Sequence, residues 1–108
     1  MKVWQPGKLL PLSETAYYIM LSLLEPRHGY GIMQYVQSLT SGRLTLGAGT
    51  LYGSLSRMEK EGLIMALAEE ERRKVYQLTE TGQALLKLEL ERLKELCTNG
   101  QKCLGELL

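Results

Sequence analysis

Residues Gly47–Ile64 read GAGTLYGSLSRMEKEGLI, and the organisation of the chain follows from them. Leu51, Leu55 and Met58 recur at i, i+4 and i+7, one apolar stripe on a helical repeat. Gly62 stands where a left-handed residue commonly closes a helix, and Leu63-Ile64 begins an extended segment. The opposite face carries Thr50, Gly53 and Arg57, with Tyr52 and Ser56 on its flank. That face is small, hydroxylated and cationic near its middle, so a groove could admit it with the backbone close to the floor. A solvated amphipathic helix satisfies the same pattern, and only the neighbouring segments separate the two readings.

Upstream, Ser13 is suited to cap a helix, with Glu14 in the first turn where the helix dipole favours negative charge. Ala16–Leu24, AYYIMLSLL, is apolar almost all round and predicts a central helix buried on most sides and ended by Pro26. His28-Gly29-Tyr30-Gly31 predicts a sharp turn into a second helix, with Ile32, Tyr35, Val36 and Leu39 inward. The two glycines permit close approach, and free N–H groups at the helix start suit a phosphate; plain turn chemistry accounts for the same residues. His28, the single histidine, is expected as a cap or surface residue. Thr40-Ser41-Gly42 closes the second helix. Residues 1–11 have no clear period and read as an N-terminal arm whose Trp4 packs over a hydrophobic seam.

Downstream, Leu63–Leu67 and Lys74–Leu78 alternate in part and predict an antiparallel hairpin with its tip in Glu69–Arg73. Arg72, Arg73 and Lys74 form the one contiguous basic run. On its own such a run is most often a solvated loop, whereas beside a helix–turn–helix it has the form of a wing. Thr79 is a further N-cap with Glu80 in the first turn, and from Thr81 the chain is rich in helix formers. Leu86, Leu90, Leu93 and Cys97 step by 4, 3 and 4, an a/d-like seam extended by Leu104 and Leu107. Leu85, Leu88 and Leu96 widen it, while Lys87, Glu89, Glu91, Arg92, Lys94 and Glu95 are assigned to a soluble outer side. One small core cannot cover both stripes along about 25 residues, near 37 Å of helix. The excess predicts pairing with a second copy. Asn99-Gly100 is expected to break or fray this helix.

The fold class expected is therefore mainly α with a small β-hairpin: a winged helix–turn–helix at 12–79, after the arm at 1–11 and before a long dimerisation helix at 80–108. A net charge of +1 over 108 residues gives no overall support for nucleic-acid binding, so the distribution of charge has to carry that reading. No apolar run approaches a membrane span and no secretory pattern opens the chain, which predicts a cytoplasmic protein. Cys97 and Cys103 fit free thiols, Cys97 as a small buried residue of the seam, although a redox sensor through the pair is a rival reading. No HExxH, CxxC or P-loop pattern occurs, and no nucleophile stands beside a base; an enzyme, a metal site and a cofactor are not expected.

Three blocks, LSETAYYIMLSLLEPRHGYGIMQYV, GTLYGSLSRMEKEGLI and ERRKVYQLTETGQALL, resemble the PadR family of bacterial transcriptional regulators in order and spacing, from about Leu12 to Leu86. The single C-terminal helix resembles the compact subgroup, whose dimers are made by that helix. The resemblance implies a homodimer that binds double-stranded DNA, with repression of nearby genes as the usual outcome. The helix from about Gly49 to Lys60 would enter the major groove by its N-terminal end, with Thr50 on a phosphate and Tyr52 on a phosphate or base edge. Gly53 lies on the same face. Arg57 would meet a phosphate or brace the wing. Tyr30 and Gly31 would meet the backbone beside the groove, and Arg72, Arg73 and Lys74 would reach phosphates or the adjacent minor groove. Compact relatives stack flat ligands on a tryptophan of the terminal helix. Here Leu93 holds the corresponding position, so an aliphatic pore of Leu86, Leu90 and Leu93, with Trp4, Cys97 and Leu104 at the same seam, would take a small apolar effector or be filled by its own side chains. The remaining rival is a winged helix that docks on protein and leaves DNA alone.

Overall fold

The computed structural model describes residues 8–70 and 72–108, so the expectations for Trp4 and for Glu71 at the hairpin tip lie outside the described residues. The elements run α1 (Glu14–Ser22), β1 (Arg27–His28), α2 (Gly29–Leu39), α3 (Ala48–Lys60), β2 (Ile64–Glu70), β3 (Arg73–Leu78) and α4 (Glu80–Leu104), with a 3-10 turn at Gly105–Leu107. Three helices, a wing and a long terminal helix make a winged-helix fold, as the sequence predicts.

The capping chemistry accounts for where the helices begin. Ser13 Oγ accepts from Ala16 N at 3.1 Å, His28 Nδ1 accepts from Gly31 N at 3.3 Å, and Thr79 Oγ1 accepts from Gly82 N at 3.0 Å. The expected cap role of His28 holds. α1 stops at Ser22, ahead of Pro26, because Leu23 N–H turns back to the Met20 carbonyl at 3.0 Å. Leu24 is consequently outside the helix and exposed, against the expectation of burial for the whole apolar run. α3 ends in a Schellman motif: Gly62 has φ +76°, Leu63 N–H donates to Met58 O at 2.9 Å and Gly62 N–H to Glu59 O at 3.1 Å.

Ile19, Met20 and Leu23 of α1 and its cap meet Ile32 and Val36 of α2 and Leu51, Leu55 and Met58 of α3 in one core, closed below by Leu63, Ile64, Tyr76 and Leu78. Leu39 lies on the same α2 stripe but past the end of this core, and is exposed where burial was expected. Tyr35 is half-buried under the Arg27 guanidinium, 4.1 Å above the ring centroid, and Arg27 Nε donates to Ser22 O at 2.8 Å.

The sheet has three strands where a hairpin was expected. Its order is β1-β3-β2, with Arg27↔Tyr76 and His28↔Val75 joining β1 to β3. Two residues between Pro26 and a helix are too few to carry an alternating pattern, which is why the sequence does not announce them. β2 and β3 pair antiparallel from Ile64↔Leu78 to Glu70↔Arg73, with an irregularity between Ala66 and Ala68. The strands run further toward the tip than their composition predicts. Arg72, in the turn, has φ 67°.

α4 runs unbroken through Asn99-Gly100 to Leu104. One glycine costs a helix interior about 1 kcal/mol against alanine, which the good helix formers around it tolerate. Its root is bolted to the head: Thr79 Oγ1 donates to Gly62 O at 2.7 Å, Thr79 N to Leu63 O at 3.0 Å and Leu78 N to Leu23 O at 3.0 Å. Gly82, Leu85, Leu86 and Glu89 are its buried residues. Its charge assigns Glu89 to the soluble side, whereas the fold leaves it 1% exposed. Further out Leu90 is 44% and Leu96 54% exposed, Leu93 is half-buried, and Leu104 and both cysteines are exposed. Cys97 is thus not buried within one chain, because the outer part of α4 projects past the core; the molecule measures 55 × 38 × 21 Å. Among the described residues no helix is long and apolar enough to cross a membrane.

Candidate nucleic-acid interface

The helix that decides the fold also presents the candidate surface. With Leu51, Leu55 and Met58 committed to the core, the helical repeat leaves Thr50, Gly53, Ser56 and Arg57 exposed on the far side of α3. A Cβ added at Gly49 or Gly53 would meet nothing within 4 Å, so the start of α3 offers bare backbone to whatever approaches it.

Tyr52 is 51% exposed, and its inner half has a specific seat. Gly29, at the start of α2, has no room for a side chain, since a Cβ there would overlap the Tyr52 hydroxyl and lie 2.8 Å from Cζ. The ring therefore rests on the first turn of α2 and locks the starts of α2 and α3 together. Behind it, burial first, then the nearby Glu59 and Tyr52, push the Tyr76 hydroxyl above its ordinary pKa. Tyr30, 57% exposed, stands one residue beyond Gly29, and Gly31 is half-buried beside the His28 cap. The expected residues of the α2 turn and of the α3 start are thereby brought to one place.

Arg72, Arg73 and Lys74 are exposed on the wing, where the backbones of Glu70 and Glu69 pair with Arg73 and Lys74. Arg57 is on the other flank of α3. It lines a groove of about 290 Å³ with Lys8, Leu9, Leu12 and Ser54, between the N-terminal lead-in and α3. On the exposed linker into α3, Arg43 pairs with Glu14, and the hydrogen bond that the guanidinium donates to that carboxylate raises its pKa, with Tyr18 adding to it. An exposed pair of this kind contributes little stability, and its use is to hold the linker against α1.

Two features escaped sequence reasoning. The sequence assigns Tyr52 only to the partner's side, although it marks Gly29, the bare residue that seats the ring, as a point of close approach. Glu89 follows Gly82, Leu85 and Leu86 at helical spacing, so its place on the buried stripe was legible, but its charge assigned it to solvent. In the fold its Oε2 accepts from Leu12 N at 2.7 Å, and Arg92 donates through Nε to Oε1 at 2.5 Å and through Nη2 to Oε2 at 3.1 Å. The bond from Arg92 holds the Glu89 pKa below its ordinary value, burial opposes it, and the Leu12 N–H adds to the lowering. Leu86 belongs to the head's own core, so any seam left for a partner begins at Leu90.

The family described as transcriptional regulator PadR-like matches residues 19–88. A PadR-like transcription factor from Bacteroides fragilis is 31% identical, with a TM-score of 0.69 over 91% of each chain. A PadR-family transcriptional regulator from Eggerthella lenta is 25% identical, with a TM-score of 0.69 over 92% of this chain and 84% of that one. A curated relative, an uncharacterised 37.1 kDa protein of transposon TN4556 from Streptomyces fradiae, is 37% identical over 71 residues, which is 66% of this chain and 20% of that protein. The chain thus spans about a fifth of the length of that relative.

Proposed function

Since the chain belongs to the PadR-like family of transcriptional regulators, we propose that it acts as a homodimeric repressor that places one α3 helix of each copy in successive major grooves of an inverted-repeat operator. The observation that carries this reading is the outer face of α3. Thr50, Gly53, Ser56 and Arg57 are all exposed, and Gly49 and Gly53 add no bulk between backbone and partner. Thr50 takes a phosphate and Tyr52 a phosphate or base edge, Tyr30 and Gly31 flank them on the backbone, and Arg72, Arg73 and Lys74 reach phosphates or the minor groove. Phosphate contacts set register and salt dependence, and few residues here can read base edges, so DNA shape supplies part of the specificity. The arm at 1–11, the head at 12–79 and the pairing helix at 80–108 divide these tasks.

The pairing surface is the exposed run of Leu90, Leu96 and Leu104 with half-buried Leu93, and Cys97 lies along it. Such a run seeks a second apolar face. Two-fold symmetry then puts half-sites about 34 Å apart or a multiple of it. A small apolar effector would enter between the paired helices, lined by Leu90 and Leu93.

The test uses DNA selected by the protein from a random pool, titrated at two salt concentrations, beside sedimentation of the free protein at micromolar concentration. The reading expects an inverted repeat, a steep loss of affinity with salt and a dimer that Leu90→Glu dissociates. No DNA binding, binding without salt dependence, or a monomer rejects it, and the first result would favour a docking surface for protein.

A further inference from the structure

Glu89 holds a charge where its neighbours on the stripe hold methyl groups. It is the outermost of the buried residues of α4, and it is 1% exposed. A buried carboxylate is unfavourable unless its oxygens are hydrogen-bonded, and apolar residues of similar volume commonly replace buried ion pairs without loss of stability. Packing alone therefore does not explain it. One of its donors is the main-chain N–H of Leu12, at 2.7 Å. The next residue, Ser13, caps α1, and Leu9 and Leu12 line the groove whose other wall includes Ser54, Arg57 and Met58 of α3. The bond thus joins the tail helix to the segment lying against both α1 and α3.

Glu89 is also the last buried residue of α4 before its projecting part. From it to Leu104 the helix runs roughly 22 Å at 1.5 Å per residue. A swing of about 10° at Glu89 moves the far end by roughly 4 Å, more than the rise of about 3.4 Å between base pairs.

We propose that Glu89 is a positioning residue for DNA binding: through the Leu12 N–H its carboxylate fixes the angle at which the tail leaves the head, and so the separation of the two α3 helices. This rests on the dimeric DNA-binding reading above. Glu89 touches no DNA, and Arg92 steadies the carboxylate from the solvent side of α4.

Two variants separate the acceptor from the charge. Glu89→Gln is isosteric and keeps an oxygen for Leu12 N–H; Glu89→Met keeps the length and removes the acceptor. Each is titrated against the selected operator, the same operator with one base pair added between half-sites, and a single half-site. The wild type favours the first operator over the second by at least about tenfold, the Gln variant keeps that ratio within about twofold, and the Met variant reduces it below about threefold. Single half-site affinity stays within about twofold for all three. A folded Met variant with the wild-type ratio overturns the proposal. Should the Met variant fail to fold, amide hydrogen exchange of the wild-type complex decides. Leu12 is then protected at least about tenfold more on the preferred operator than on the lengthened one, and equal protection overturns the proposal. Wild-type protein that binds neither operator removes the dimeric reading and this role together, whereas wild-type binding with an unaltered Met ratio removes only the role of Glu89.

Discussion

Gly53→Ala sets stability and DNA affinity against each other. The position is exposed, in the interior of α3, and a Cβ there meets nothing within 4 Å, so the free protein has room for the methyl group. Replacing glycine by alanine inside a helix stabilises by roughly 0.5–1 kcal/mol, because the unfolded chain has less freedom to lose. For a domain of this size that raises Tm by roughly 2–8 °C at fixed protein concentration. With α3 in the groove as proposed, the same methyl would enter a packed contact. Overfilling such a contact costs about 1–3 kcal/mol, and at 1.4 kcal/mol per tenfold this is about a 5- to 140-fold loss of affinity. Thermal melts followed by circular dichroism and fluorescence anisotropy with labelled operator at one salt concentration measure the two effects. The slope of affinity against salt stays unchanged, since no charge is removed. A variant that melts higher and binds as tightly as wild type refutes the placement of this face in the groove.

Lys74→Ala on the wing leaves the folding stability within about 0.5 kcal/mol of wild type but lowers the salt slope of DNA binding by about 0.9, the release expected for one phosphate contact. Gly82→Ala has the opposite character from Gly53→Ala. Its Cβ would overlap the Leu63 carbonyl and lie 3.0 Å from Leu78 Cδ2, and that carbonyl accepts from Thr79 N. Backbone cannot give way as a side-chain end can, so stability falls by about 1–3 kcal/mol in a denaturant titration. Acid sensitivity follows from Glu89. Its folded-state pKa lies below the ordinary value, so its contribution is complete above about pH 4.5 and is lost as pH falls through the folded value. Glu89→Gln should accordingly flatten the stability profile below about pH 4.5, and parallel profiles for variant and wild type would disprove the assignment.

Local chemistry made most of the head legible. Ser13, Thr79 and Gly62 announce helix ends because capping acts within four residues of sequence, and the stripe of Leu51, Leu55 and Met58 announces the buried face of α3 because the helical period is fixed. Motif resemblance went further than periodicity could, by singling out the outer face of α3 as the candidate DNA-binding surface. What stayed hidden depends on residues distant along the chain. β1 is paired because β3 lies beside it, and the buried Glu89 carboxylate finds a donor in the Leu12 N–H of the lead-in to α1. Leu39 obeys the period and is exposed all the same, since where a core ends is set by its partners.

The short strand β1 has a mechanical consequence for the wing. Pairing of β1 with β3 ends at His28↔Val75, so the root of β3 is held on both edges, while Lys74 and Arg73 lie outboard on a ribbon of two strands. A two-stranded ribbon has little rigidity of its own. On the DNA-binding reading proposed above, the basic end would bend to follow a curved or widened sugar–phosphate track, while its held root keeps the bending from reaching α2 and α3.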